Sequence, residues 1–128
     1  MLEDTMAKIA QFAQRHRVCI YLVSHLATPE GKPHEEGGRV MLRHFKGSRA
    51  IGFWTHFAFG LERNTQAEDE AERNRTTFRV LKDRYTGQSN GKVLFYSYDH
   101  ATGRLRNADG PGEPGDNPFN DESGPADY

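Results

Sequence analysis

Hydrophobic side chains recur every three or four positions over residues 2–16. The apolar positions include Leu2, Met6, Ile9 and Phe12. This spacing predicts an amphipathic helix. The run that follows, residues 18–23 with the sequence VCIYLV, is continuously apolar and partly β-branched. Such a run is typical of a strand that is covered on both faces of a parallel sheet. A helix followed by this strand predicts an α/β fold.

Residues 24–39 interrupt the apolar pattern with prolines, glycines and charged side chains, and they predict a polar loop. Ligands bind at the carboxyl ends of the strands in open α/β sheets. A loop that begins with Ser24 and His25 at such an end is therefore a candidate functional site. A plain surface loop is the alternative, and position alone does not decide between the two.

Apolar residues return after residue 40 and predict the second half of the fold. Gly47 and Ser48 could open a short helix, residues 57–61 predict a buried strand, and residues 66–75 predict a charged connection. Residues 93–98 predict a further strand, and the turn at residues 101–103 leads from it into a β-hairpin.

Residues 77–84 predict a strand with cations on one face. The two-residue period of a strand places Phe78, Val80 and Lys82 on the same side. Arg84 follows in the same register. Two positive charges are thus expected to point the same way just before the turn at Thr86.

Charge is distributed unevenly along the chain, although its net value is only −1. All 17 basic residues lie within residues 1–106, together with 12 of the 18 acidic residues, so this part carries a charge of +5. A basic body favours a polyanionic partner. Residues 107–128 are acidic and rich in glycine and proline, with too little apolar area to offset the entropy of ordering. This tail is predicted to be disordered.

Several kinds of chemistry find no support in the sequence. The chain contains neither GxxxxGKS/T nor GxGxxG, so it has no motif that cradles a triphosphate. Its six histidines lack the HExxH spacing, and Cys19, expected to be buried, cannot complete a zinc site. Ser24 and His25 lack the G-x-S-x-G elbow of a hydrolase. With one cysteine and no signal-peptide or membrane-span pattern, a soluble, cytoplasmic protein is expected.

Five segments resemble, in order, successive motifs of the RecA-fold hexameric replicative helicases. They are LVSHL at 22–26, KPHEEG at 32–37, FKGSRAI at 45–51, LERN at 61–64 and VLKDRYTG at 80–87. The resemblance is to phage primase-helicases and the mitochondrial helicase Twinkle, and more distantly to bacterial DnaB. It implies an α/β fold in which residues 1–106 are the C-terminal portion of a RecA-like ATPase domain. This partial core of helix and parallel strands would end in a β-hairpin, followed by the disordered acidic tail.

The resemblance also implies roles for single residues at a nucleotide site. His25 matches the sensor of the γ-phosphate. Arg84 matches the arginine finger that reaches the nucleotide of a neighbouring subunit, with Lys82 beside it as a second catalytic cation. Arg63 and Tyr98 match side chains that sandwich the base. The nucleotide would be ATP or dTTP with Mg²⁺, whose phosphate and metal ligands are expected outside this chain.

Single-stranded DNA is the second ligand that the resemblance implies. Residues 27–38 match the loop that contacts DNA in the central channel of such rings, where binding to phosphates is independent of sequence. The candidate DNA-binding residues are Lys32, His34 and Lys46.

Plain structural alternatives and departures from the pattern accompany these assignments. Lys32 could be an ordinary solvated charge, His25 a hydrogen-bonded structural histidine and Tyr98 a packed strand residue. Many relatives carry Gln and Asp in the segment where this chain has Phe53 and His56. The residues that couple nucleotide binding to DNA binding are then expected to differ in this chain.

The expected function is the C-terminal part of an ATP-dependent, 5′–3′ replicative DNA helicase that works as a ring of neighbouring subunits at the replication fork. If phage-encoded, it would act in the cytoplasm of the infected bacterial cell. The Walker A and Walker B motifs are expected before Met1, so the isolated chain is predicted to be inactive and marginally stable. The acidic tail resembles the phage helicase tail that docks on the replicative DNA polymerase, with Tyr128 as an apolar anchor. A solubilising tail is the alternative.

Two other functions stay open at this point. The chain could be a non-catalytic module that binds single-stranded DNA through its basic loop and a polymerase through its tail. It could also be a lobe of a RecA-like recombinase, which the GSRA and KDRYTG segments disfavour.

Overall fold

The computed structural model describes residues 1–108, which form short helices and a four-stranded sheet. The helices are α1 (Leu2–His16), a 3₁₀ helix (Leu42–His44), α2 (Ser48–Trp54) and α3 (Glu70–Asn74). The strands are β1 (Phe57–Arg63), β2 (Arg75–Asp83), β3 (Val93–Asp99) and β4 (Arg104–Asn107). The prediction that the chain combines helices with a sheet is confirmed. No helix in this part of the chain is long and apolar enough to cross a membrane.

Helix α1 confirms the predicted N-terminal helix. Acidic residues lie in its first turn and basic residues in its last, an arrangement that suits the helix dipole. Arg17 ends the helix in the left-handed conformation, with φ of 52°. Met6 is its buried residue, whereas Phe12 is exposed. The apolar face that the sequence predicts is therefore only partly covered, by packing against α2.

The sheet is antiparallel, which corrects the expectation of a parallel core. Its strands are ordered β1-β2-β3-β4, and each pairs with the next in the antiparallel sense. The connections are residues 64–74, 84–92 and 100–103. All are shorter than the dozen or more residues that a parallel crossover needs. A short apolar strand has a similar sequence of apolar residues in a parallel and in an antiparallel sheet. The sequence therefore indicates that a strand forms but not its direction.

Residues 18–23 form no strand, contrary to the prediction from their composition. Tyr21 is 79% exposed and Val23 is 95% exposed. Cys19, which was expected to be buried, is exposed as well. A buried strand needs a hydrogen-bonding neighbour and a covered face, and β1 to β4 pair with one another instead. The parallel RecA-like core is therefore not found in residues 1–108.

A small apolar core joins both halves of the described chain. Its buried hydrophobic side chains are Met6, Val40, Ile51, Ala58 and Val80. Val40 is only 1% exposed, and it packs so closely on β1 that a Cβ at Gly60 would lie 2.6 Å from its Cγ1. Phe59 stacks on Phe78 with ring centroids 4.5 Å apart. The core is small because only 35% of the residues are hydrophobic.

The predicted helix after Gly47 and the predicted C-terminal hairpin are confirmed. Gly47 precedes α2 with φ of 78°, and Gly103 turns the chain between β3 and β4 with φ of 68°. Strand β4 includes Asn107, one residue beyond the expected end of the folded part. The predicted disorder from residue 109 onward and the role of Tyr128 lie outside the described residues.

Candidate functional site

Arg63 and Tyr98, the residues predicted to hold a nucleotide base, lie against each other on one face of the sheet. Arg63 ends β1 and is paired with Thr76, which is paired with Tyr96 of β3. Side chains that are opposite across an antiparallel pair share a face, and Tyr98, two residues after Tyr96, returns to it. The guanidinium carbon of Arg63 lies 5.8 Å from the centroid of the Tyr98 ring, within the range of a cation–π contact.

The turn at the end of α3 holds Arg63 in this position. Its Nε donates to the backbone oxygen of Arg73 at 2.6 Å, and a terminal nitrogen donates to Asn74 Oδ1 at 3.4 Å. The His100 ring packs edge-on against Tyr98 with centroids 4.9 Å apart. His100 Nε2 lies 2.8 Å from Asn74 Oδ1. These contacts join four side chains into one cluster.

Sequence reasoning missed Asn74 and His100. A signal for His100 was present, because it follows Tyr98 by two residues and strand alternation brings both to one face. Asn74 carried no such signal, since it ends a five-residue helix in a segment predicted to be a charged connection. Asp69 caps that helix by accepting a hydrogen bond from the Glu72 N–H at 2.9 Å. The cap stabilises a helix that has few apolar residues.

Lys82 and Arg84, the predicted catalytic cations, both reach the C-terminal end of α2. Lys82 Nζ donates to the backbone oxygen of Gly52, and the Arg84 guanidinium donates to that of Phe53. The last carbonyls of a helix lack helical partners and carry the negative end of its dipole. Burial, and then the charge of Arg84, lowers the pKa of Lys82. The shared direction of the two side chains, predicted from strand alternation, is confirmed.

Asp83 lies between these cations in sequence and binds the turn that follows β2. Its carboxylate accepts hydrogen bonds from the Thr86 hydroxyl at 2.7 Å and the Ser89 hydroxyl at 2.8 Å. These hydrogen bonds, that from Thr86 first, lower the pKa of Asp83 to about 2. The backbone N–H of Arg84 donates to the carbonyl of His56 at 2.9 Å. The position of Arg84 is thus determined by its own backbone and by the turn beside it.

His25 and Lys46 lie on adjacent backbone segments with exposed side chains. The Lys46 N–H donates to the His25 carbonyl at 3.2 Å, and the Ala27 N–H donates to the His44 carbonyl at 2.6 Å. Lys32, further along the chain, is exposed as well. The predicted phosphate sensor therefore lies beside one of the predicted DNA-binding lysines.

The loop at residues 27–38 closes on itself around His34. The Gly38 N–H donates to the Pro33 carbonyl at 3.0 Å. Both ring nitrogens of His34 are covered and have no hydrogen-bond partner within the part of the chain that the structure describes. Its ring lies 5.1 Å from that of His44, centroid to centroid. A contact between His34 and DNA would therefore require the loop to open.

The same loop is bound to the residues that follow β1. Glu36 and Asn64 form an isolated antiparallel bridge. The Thr65 N–H and hydroxyl both donate to the Glu35 carbonyl, at 2.9 and 3.1 Å. The candidate DNA-binding loop is thus hydrogen-bonded to the segment directly after Arg63.

The predicted site residues fall into three groups: a pair on the sheet, two cations that contact the end of α2, and a set around the loop in which His25, Lys32 and Lys46 are exposed and His34 is covered. Their individual roles stay predictions. Residues 1–108 contain no group of three or more His, Cys, Asp or Glu side chains that could hold a metal ion.

Comparison with known proteins shows that the sequence of the chain is similar to that of a phage protein. No protein-family model matches the chain. The whole chain aligns with a protein of Enterobacteria phage T3 named DNA helicase/primase. The two are 33% identical over an alignment of 132 residues. The chain is related to a region of that helicase/primase. The chain spans 22% of the length of the phage protein, so the similarity concerns one region and leaves the residue roles untested.

Proposed function

We propose that this chain is the C-terminal part of an ATP-dependent replicative DNA helicase. It would supply a clamp for the nucleotide base, two cations that act on a neighbouring subunit and a loop that contacts single-stranded DNA. The observation that carries the proposal is the position of the Arg63 guanidinium over the Tyr98 ring, 5.8 Å from its centroid. The relationship to a phage protein named DNA helicase/primase supports it.

The Arg63–Tyr98 pair has the chemistry of a base clamp. A nucleobase is a flat aromatic ring, and it stacks both on a guanidinium plane and on a phenol ring. The contacts of Arg63 with Arg73 and Asn74 hold its guanidinium beside the Tyr98 ring, so a base that stacks between the two side chains must separate them. Stacking accepts every base, so the clamp suits either ATP or dTTP.

Lys82 and Arg84 have the chemistry to stabilise a transferring phosphoryl group. Cations aimed at the oxygens of that group lower the barrier by stabilising the charge that they carry. In this chain the α2 carbonyls accept hydrogen bonds from both side chains. We propose that Lys82 and Arg84 exchange these carbonyls for the nucleotide of an adjacent subunit, while His25 senses the γ-phosphate. Hydrolysis would then require a ring of subunits, with Mg²⁺ held by ligands outside this chain.

The exposed basic residues Lys32 and Lys46 suit the phosphates of single-stranded DNA. Phosphate contacts by lysine are independent of sequence and weaken with salt. Sequence-independent contacts suit a helicase loop, because it must act on strands of any sequence. Docking of the acidic tail on a replicative polymerase stays part of this proposal.

Nucleotide binding by the 128-residue chain tests the clamp. A fluorescent ATP or dTTP analogue should bind the wild type weakly, through its base alone, because the phosphate and metal ligands are expected outside this chain. Tyr98→Ala should weaken that binding about 5-fold or more, as expected from the loss of one stacking partner. Tyr21→Ala, which removes an exposed tyrosine from residues 18–23, is the matched control and should leave binding unchanged. Equal affinities of the wild type and Tyr98→Ala would contradict the clamp.

A non-catalytic DNA-binding module is the second candidate. The contacts of Lys82 and Arg84 with α2 favour it, because both cations already have partners within the chain. Fluorescence anisotropy with labelled oligothymidylate separates the two functions. DNA binding that Lys32→Ala weakens, in a chain that binds no nucleotide, would favour the module over the helicase part.

A further inference from the structure

Glu62 is a buried carboxylate beside the candidate site, on the face of the sheet opposite to the Arg63 side chain. It lies on β1 directly before Arg63 and is 7% exposed. Oε1 accepts a hydrogen bond from the Val40 N–H at 2.8 Å. Arg79 on β2 donates to both carboxylate oxygens, from Nε at 2.6 Å and from a terminal nitrogen at 3.1 Å.

This set of contacts satisfies a charge that is costly to bury. A carboxylate removed from water is tolerated when an opposite charge and further hydrogen bonds replace its hydration. The two-pronged contact with Arg79 also restricts orientation, because a guanidinium fork matches a carboxylate in one plane. Glu62 is therefore held rigidly, and its remaining contact with the Val40 N–H has a defined direction.

The contact with Val40 connects β1 to the end of the 27–38 loop. Val40 follows the loop by two residues, and its side chain packs on Gly60 of the same strand. The same C-terminal half of the loop is also held at Glu35 by hydrogen bonds from Thr65. The C-terminal half of the loop and the residue that follows it by two are thus bound to residues of the β1 segment on either side of Arg63.

A small cavity separates the loop from the clamp between these two attachments. Its volume is about 60 Å³, and Gly37, Arg63 and Thr77 are among the residues that line it. The loop and Arg63 therefore share one surface, so a shift of either can be transmitted to the other through packed side chains and hydrogen bonds.

We infer that Glu62 is a positioning residue that couples the DNA-contacting loop to the base clamp. The coupling rests on the proposed function, since it links two ligands that the proposal assigns. A base stacked on Arg63 restrains the end of β1, and Glu62 and Thr65 pass that restraint to the C-terminal half of the loop. Because coupling between two binding sites is reciprocal, DNA on the loop tightens the binding of the nucleotide by the same factor.

A thermodynamic cycle tests this coupling in the 128-residue chain. The affinity for a fluorescent ATP analogue is measured without and with saturating oligothymidylate, and the ratio of the two is the coupling factor. We expect a factor of about 5 or more in the wild type, the range typical of allosteric pairs. In Glu62→Gln we expect it to fall below about 2, because the amide NH₂ that replaces Oε2 cannot accept from Arg79 and the loss of the charge releases the side chain from the Arg79 fork.

Two further variants separate coupling from folding. Thr65→Val removes only the hydroxyl contact with Glu35 at an exposed site, and should reduce the factor partway while the chain stays folded. Arg106→Met removes the exposed ion pair with Asp99 and should leave the factor unchanged. Far-UV circular dichroism verifies that each variant is folded.

The outcomes distinguish this inference from the function on which it rests. If the wild type binds both ligands with a coupling factor of 1, or if Glu62→Gln and Thr65→Val keep the wild-type factor, the inference is overturned and the proposed function stands. If the wild type binds no nucleotide, the clamp fails and the coupling fails with it. A factor that drops in both variants, but not in Arg106→Met, supports the inference.

Discussion

Two segments of this chain, residues 18–23 and strand β1, were both predicted to be buried strands and have different structures. Residues 18–23 are exposed and form no strand. Strand β1 pairs with β2 along its length and buries alternate residues, Ala58 and Gly60 among them. The difference is the neighbour, because a strand is stabilised by the backbone that accepts its hydrogen bonds and the side chains that cover its face. Apolar composition makes a strand possible, and pairing decides whether it forms.

The largest expected difference between the two segments is in the rate of thiol labelling. Cys19 is exposed, so it should react with an aromatic disulfide reagent nearly as fast in the folded chain as in denaturant. In a Cys19→Ser background, Ala58→Cys places the thiol at a buried position of β1. There the reaction should be about 100-fold slower or more, because access requires the sheet to open. Similar rates at both positions would show that the sheet protects no better than residues 18–23.

A smaller difference is expected when substitutions in the two segments are compared by their effect on the free energy of unfolding in urea. Gly60→Ala introduces a Cβ 2.6 Å from Val40 Cγ1, and overpacking of this kind should reduce the free energy of unfolding by about 1–3 kcal/mol. Val23→Ser changes an exposed side chain and should alter it by less than about 0.5 kcal/mol. Circular dichroism measures both. Equal losses in the two variants would contradict the core described here.

Acid unfolding has the smallest expected effect and concerns the turn that follows β2. Hydrogen bonds lower the pKa of Asp83 from 3.8 to about 2. A folded-state pKa below the unfolded value stabilises the fold above that unfolded value, and the stabilisation is lost as the pH falls from about 4 to about 2. Asp83→Asn should therefore melt at a lower temperature than the wild type at pH 6.

The pH dependence of that difference provides the check. The gap between the melting temperatures of Asp83→Asn and the wild type should narrow as the pH is lowered towards about 2, where the wild-type carboxylate is protonated too. Asp4→Asn, which changes an exposed carboxylate in the first turn of α1, serves as a control. A gap that stays constant from pH 6 to pH 2 would mean that the charge of Asp83 does not stabilise the turn.

The candidate site was predictable from the sequence to different degrees. The resemblance singled out Arg63 and Tyr98, and strand alternation predicted that Lys82 and Arg84 point the same way. The sequence could not predict that Asn74 orients Arg63, since this contact depends on a short helix meeting the end of β1. Nor could it predict the α2 carbonyls as partners of the cations, because some thirty residues separate them along the chain.

The sequence by itself determined the elements that depend on neighbours close along the chain. Helix α1, the turn at Gly103 and the hairpin of β3 and β4 follow from side-chain periodicity and backbone preferences within a few residues. Only the tertiary structure decided the antiparallel direction of the sheet, the exposure of residues 18–23 and the burial of Glu62. Each of these depends on which distant segment supplies hydrogen bonds and cover, and local periodicity carries no information about the identity of that segment.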